Sequence, residues 1–170
     1  MARRKYILIA VLTFAINYSL DLITKHLAGI YFKNSSPLYF FYNTVMIVYT
    51  ENTGAFLGMG ADWPPAAKYL ALIIIPMILC FYGLYYCLFK EKQTMKLILI
   101  VSIIAGGLGN LIDRLVNNFT VIDFLNFGIG PVRTGILNVA DLSVTFGVVL
   151  FLIYESRLNS NKHTADPAGE

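Results

Sequence analysis

Apolar residues in this chain gather into four long runs, each as long as a helix needs to cross a bilayer. A hydrocarbon core about 30 Å thick is spanned by about 20 helical residues. On that measure the runs predict spans at about residues 6–28, 67–89, 97–115 and 138–154. Asp21 and Lys25 interrupt the second half of the first run, and Pro76 falls inside the second as an expected kink, which membrane helices tolerate. Between the first two spans lie aromatic-rich stretches, Leu38-Tyr39-Phe40-Phe41-Tyr42 and Met46-Ile47-Val48-Tyr49, that read as short strands. Residues 117–137 hold another, from Thr120 to Leu125, followed by a Gly128-Ile129-Gly130-Pro131 turn. Segments this apolar are poor solvated loops, so they predict a small sheet and an amphipathic element lying on the membrane. The fold class is therefore mainly α and integral to the membrane: four transmembrane helices with a small extracytoplasmic β-sheet and an amphipathic surface element. A single domain over residues 1–170 is expected, with a disordered tail from 159.

Composition agrees with the pattern. Hydrophobic residues make up 57% of the chain and charged ones 14%, against about 25% charged in an average soluble domain. A mean hydropathy of +0.65 points the same way. Soluble domains, disordered regulators and nucleic-acid binders are excluded together, and a scattered net charge of +3 attracts no polyanion. The apolar N-terminus is too extended, and lacks the small-residue cleavage site, to be a removable signal peptide. Arg3, Arg4, Lys5, Lys90, Lys92, Lys96, Arg157 and Lys162 fall on the side of the termini, and Lys25, Lys33, Lys68, Arg114 and Arg133 on the other. By the positive-inside rule both termini are cytoplasmic. Cys80 and Cys87 lie about 10 Å apart along one helix, too far for a disulfide, and read as packing thiols.

The acids change the picture. Asp21, Asp113, Asp123 and Asp141 all fall near the outer ends of spans, where a carboxylate near hydrocarbon is expensive unless paired and is functional by default. In the third span Gly106, Asn110 and Asp113 share a face, either a small-residue packing seam with an Asp113–Arg114 cap or part of a site. Asn138 and Asp141, three apart at the start of the fourth, fit a helix cap as well as they fit chemistry. Asp123 sits between Ile122 and Phe124 in the strand-like stretch, which solvation explains poorly unless the position faces outward. Asp21 and Lys25 are spaced as an ion pair at a helix end, the lysine reaching for the interface. Asn52-Thr53-Gly54-Ala55-Phe56 is either an ordinary hairpin turn or a loop that offers its backbone and an amide to a peptide. No zinc-protease, serine-hydrolase, phosphate-loop or dinucleotide motif occurs. Paired carboxylates remain.

These motifs together resemble the lipoprotein signal peptidases (signal peptidase II), four-span bacterial membrane aspartyl proteases. The resemblance rests on Asp21-x-x-Thr24-Lys25, Asn52-x-Gly54-Ala55, Gly106-Gly107-x-Gly109-Asn110-x-x-Asp113-Arg114, Val121-Ile122-Asp123-Phe124 and Asn138-x-Ala140-Asp141, in the family's order over nearly the whole chain. Phe56 stands where a second small residue is common, and Leu137 where an aromatic often precedes the Asn. The resemblance implies a catalytic dyad of Asp123 and Asp141. It implies substrate binding or site support by Asn52, Gly54, Asn110, Arg114 and Asn138, and structural roles for Asp21, Lys25 and Asp113. It also implies cleavage of diacylglyceryl-modified prolipoproteins before the lipidated cysteine, with no metal or cofactor. The expected setting is a monomer among membrane lipids in the bacterial cytoplasmic membrane, its site at the extracytoplasmic face. Two other classes compete. A small transporter or proton relay would place acids near the midplane and repeat its spans; a non-enzymatic assembly factor would leave Asp123 unexplained.

Overall fold

The computed structural model describes residues 2–165. Four helices carry the fold: α1 (Ala2–Tyr31), α2 (Pro65–Phe89), α3 (Thr94–Val116) and α4 (Val139–Ala165). Each is long and apolar enough to cross a membrane; the 23 residues of α3 rise about 34 Å. Their outer faces expose rows of Leu, Ile, Val and Phe, which water would not tolerate but lipid does. The helix α3 is the central one, with Ile104, Ala105, Gly106, Gly109, Asn110 and Leu111 buried. Gly106 is required at the crossing with α4: a Cβ there would collide with the Ala140 carbonyl oxygen. The packing seam read from the glycines is therefore real.

Three features refine or correct the sequence reading. The disturbance expected at Pro76 takes the form of a π turn, Leu70–Ile74, just upstream in α2; it absorbs the ring and the missing N–H without breaking the helix. The last helix continues through Ala165, past the tail expected from 159, because no Gly or Pro intervenes before Pro167; residues 166–170 lie outside the described residues. Between the sheet and α2, where an amphipathic element was expected, there is one 3₁₀ turn, Phe56–Gly58, with Phe56, Leu57, Met59 and Trp63 exposed.

At one end of the bundle sits a four-stranded antiparallel sheet in chain order: β1 (Leu38–Phe40), β2 (Val45–Asn52), β3 (Val121–Ile129) and β4 (Val132–Arg133). β1 stops at Phe40, short of the five-residue run, because Phe41, Tyr42 and Asn43 turn the hairpin with φ of 50°, 55° and 65°. The register of β2 on β3 slips between Ile47 and Thr50, so that Ile47 faces Leu125 and Thr50 faces Asp123. That extra residue in β2 is a bulge, which re-aims the side chains beside it. Burial along β3 changes phase at the same place: Val121 and Asp123 are buried, then Phe124 and Asn126. A strict two-residue alternation would have put Asp123 and Asn126 on opposite faces.

Candidate active site

The two halves of the site come from separate elements, β3 and the first turn of α4. Asp123 is only 3% exposed, so the outward-facing alternative is wrong. Its Oδ2 accepts from Asn52 Nδ2 at 2.9 Å and its Oδ1 from Asn138 Nδ2 at 2.7 Å. Asp141 Oδ1 accepts from Asn110 Nδ2 at 2.8 Å, and its Oδ2 from the Asn138 backbone N–H at 3.0 Å. Asn138, fully buried, is thus bonded to both carboxylates. Its Oδ1 in turn accepts the Asp141 N–H at 2.9 Å, which makes Asn138 and Asp141 a reciprocal capping box. The cap and the site are the same residues, so neither reading displaces the other.

Asp123 and Asp141 line a common cleft of about 20 Å³ with Asn52, Asn110, Arg114 and Asn138, a volume that suits a single water molecule. Burial pushes the Asp123 carboxyl up to about 6, and the charge of Asp141 adds to this while the amides of Asn52 and Asn138 oppose it. Larger grooves open on either side. One, about 370 Å³, runs along the end of β2 by Glu51, Asn52, Leu57 and Asp123. The other, about 290 Å³, descends between α2, α3 and α4 past Ala71, Leu72, Pro76, Gly107, Val144 and Asp141. Among the described residues no group of three or more His, Cys, Asp or Glu side chains is placed to hold a metal ion.

The remaining polar motif residues converge behind the cleft. Lys25, 4% exposed, does not reach the interface as expected. Its Nζ donates to Asp21 Oδ2 and Asp113 Oδ2, both at 2.6 Å, and to Asn110 Oδ1 at 2.9 Å. A buried ammonium needs partners for all three protons, and here it has them. Asn110 Oδ1 also accepts from Asn138 Nδ2 at 3.0 Å, so its amide nitrogen is left facing Asp141. The other oxygen of Asp21 accepts the Ala140 N–H at 2.8 Å and anchors the start of α4 to α1. Arg114 bridges two backbones, donating to Asn110 O at 3.1 Å and to Gly54 O at 2.7 Å, while its buried Nε has no partner. The 52–56 turn is closed by Asn52 Oδ1 accepting the Gly54 N–H at 2.9 Å. Gly54 is needed there: a Cβ would come within 2.5 Å of the Gly58 carbonyl oxygen.

Asn126 and Arg133 were missed from sequence. Asn126 donates to the carbonyls of Thr134 and Gly135 and accepts from Arg133 Nε, and Arg133 reaches on to the Asn43 carbonyl. Together they fasten the return of the β3–β4 hairpin that carries Ile136 and Leu137 into the cleft. The available signal was an Asn directly after the apolar stretch that ends at Leu125.

A family model described as signal peptidase (SPase) II matches residues 12–157. The chain belongs to the signal peptidase II family. The lipoprotein signal peptidase of Borrelia turicatae is 34% identical over 154 residues, with 88% of each chain covered. That of Borrelia garinii subsp. bavariensis is 36% identical over 140 residues, covering 79% of this chain and 82% of its own. A solved bacterial membrane enzyme determined by the in meso method at 2.3 Å superposes with a TM-score of 0.71 at 27% identity, covering 98% of this chain and 93% of that one. A second, at 1.9 Å, gives 0.69 at 28% identity, covering 88% and 91%. The signal peptidase II fold is therefore the fold of this chain, and the chain is an aspartic-type membrane peptidase. The transporter or proton-relay alternative finds no support: the four acids gather at one end of the bundle, around Lys25, Asn110 and Asn138.

Proposed function

We propose that this signal peptidase II removes the signal peptide from diacylglyceryl-modified prolipoproteins, hydrolysing the bond before the lipidated cysteine with Asp123 and Asp141. The observation that carries the assignment is the bridging of both carboxylates by Asn138 around a space of one water. Two acids so placed share one proton. Burial pushes the Asp123 carboxyl up to about 6, which favours Asp123 as the proton donor. Asp141, in the first turn of α4, is the partner that accepts a proton from the water.

As the water oxygen attacks the scissile carbonyl carbon, Asp141 takes one of its protons and Asp123 gives its own to the carbonyl oxygen. The tetrahedral diol collapses when Asp141 returns its proton to the leaving nitrogen and Asp123 recovers one from a hydroxyl; the C–N bond breaks, and one water is consumed. The peptide lies along the groove at the end of β2, held by Asn52 and the turn that Arg114 braces. Apolar walls from Leu72, Pro76 and Val144 take the acyl chains on the other side of the dyad. A substrate part peptide and part lipid thus accounts for a dyad set between two unlike grooves. The orientation follows the charge bias, with termini cytoplasmic and the sheet outside.

The test is turnover by the purified chain in detergent, comparing a prolipoprotein with and without its diacylglyceryl group. Cleavage confined to the lipidated form, and lost in Asp123→Asn and Asp141→Asn, is expected. Equal cleavage of both forms would overturn the substrate class, and an active Asp→Asn variant would overturn the dyad.

A further inference from the structure

At the end of the bundle opposite the dyad, a cavity of about 520 Å³ opens between the start of α1, the end of α2 and the start of α3. Its walls are apolar, from Ile7, Leu88, Phe89 and Leu97, and two cations, Arg3 and Lys92, line it. The Arg3 guanidinium lies over the Phe89 ring, 5.6 Å from its centroid. Among the described residues neither cation has a carboxylate within ion-pair distance. The acid in the wall, Glu91, is engaged within the α2–α3 connection: its Oε1 accepts the N–H groups of Lys92 at 2.8 Å and Gln93 at 2.6 Å. The neighbouring Lys96 is paired with Glu155 at 2.5 Å. The cavity is also braced, because the Tyr6 hydroxyl donates to the Lys92 carbonyl and ties α1 to the α2–α3 connection.

Arg3 and Lys92 are exposed at the mouth of an apolar cavity, so an anion that also brings an apolar body matches both parts of the site. Basic pockets between spans take anionic lipid headgroups for this reason, and the volume falls in the usual range of a ligand site. We propose that the cavity binds one anionic phospholipid, its phosphate between Arg3 and Lys92 and its acyl chains running down Ile7, Leu88 and Leu97. The site lies at the far end of the bundle from the dyad and does not depend on the catalytic reading.

The test uses the purified full chain in detergent and native mass spectrometry, titrating dioleoyl phosphatidylglycerol, dioleoyl phosphatidylcholine and glycerol phosphate separately. The wild type should retain the glycerol lipid well above the choline lipid and should not retain glycerol phosphate. Each of Arg3→Gln and Lys92→Gln should weaken that retention about fivefold, whereas Lys90→Gln, which does not line the cavity, should leave it unchanged. Peptidase turnover in all three variants should match the wild type, which also reports that they are folded. Equal retention of the two lipids by the wild type overturns the proposal without any variant. Equal losses in Lys90→Gln would make the effect one of general surface charge, and tight binding of glycerol phosphate would make the site one for soluble phosphate; either result overturns it.

Discussion

Asn138 offers a way to separate scaffold from chemistry at one position. Its side-chain oxygen caps α4, and its side-chain nitrogen serves Asp123 and Asn110. Asn138→Ser keeps an oxygen acceptor for the cap and removes the nitrogen, so the loss falls on the hydrogen bond to Asp123. Hydrogen bonds to charged groups contribute about 1.5–3 kcal/mol, which at about 1.4 kcal/mol per decade is roughly a 10- to 150-fold fall in kcat/KM. Asn138→Ala removes the cap as well and should lower stability by about 1 kcal/mol more. The pH profile carries the sign. The Asn138 amide favours the ionised form of Asp123, whose pKa is about 6; removing it raises that value, and the singly protonated pair persists to higher pH. The falling limb of kcat/KM, near pH 6 in the wild type, should therefore move upward in both variants. The assay is cleavage of a lipidated prolipoprotein across pH 4–9, normalised to folded enzyme. Asn138→Ser with wild-type kcat/KM and an unmoved limb would refute the bridge.

The dyad should act as a unit: Asp123→Asn and Asp141→Asn should each abolish turnover, and the double variant should be scarcely worse than either in the same assay. A carboxyl raised from 3.8 to about 6 destabilises the fold where it is ionised, by about 3 kcal/mol at 1.36 kcal/mol per unit. That burden is absent below about pH 4 and grows as pH rises through 6, so Asp123→Asn should melt higher than wild type at pH 8 and level with it at pH 4. Lys25→Met leaves Asp21 and Asp113 without their buried partner and should lower stability by about 3–5 kcal/mol. Much reduced yield of folded protein is expected; a wild-type melting curve would show the network to be idle.

The spans, the strand around Asp123 and the polar motifs were legible because each depends on local pattern: run length for the helices, β-branched and aromatic residues for the strand. What escaped depends on partners distant in sequence. Lys25 could be paired with Asp21 from spacing alone, but its turn inward requires Asp113 and Asn110, 88 and 85 residues away. Asn126 was missed because the strand read from sequence stops at Leu125, whereas β3 runs on to Ile129. Nor does any local pattern show that the capping box at Asn138 and Asp141 also faces Asp123, a contact made only by the fold.

The bond between Asp21 and the Ala140 N–H joins the first span made by the ribosome to the last. At about 5–20 residues per second, the 119 positions from Asp21 to Ala140 take roughly 10 s to appear. In that interval Asp21 has Lys25 beside it on its own helix, a partner that travels with it into the bilayer and moderates the penalty of inserting a lone charge. Asp141 arrives only with the final span, after Asn52, Asn110 and Asp123 are already outside the ribosome. A chain interrupted before that point carries a groove and one acid but no pair. On the proposed dyad, activity waits for the last helix, which packs against α3 and is tied to α1 by Asp21.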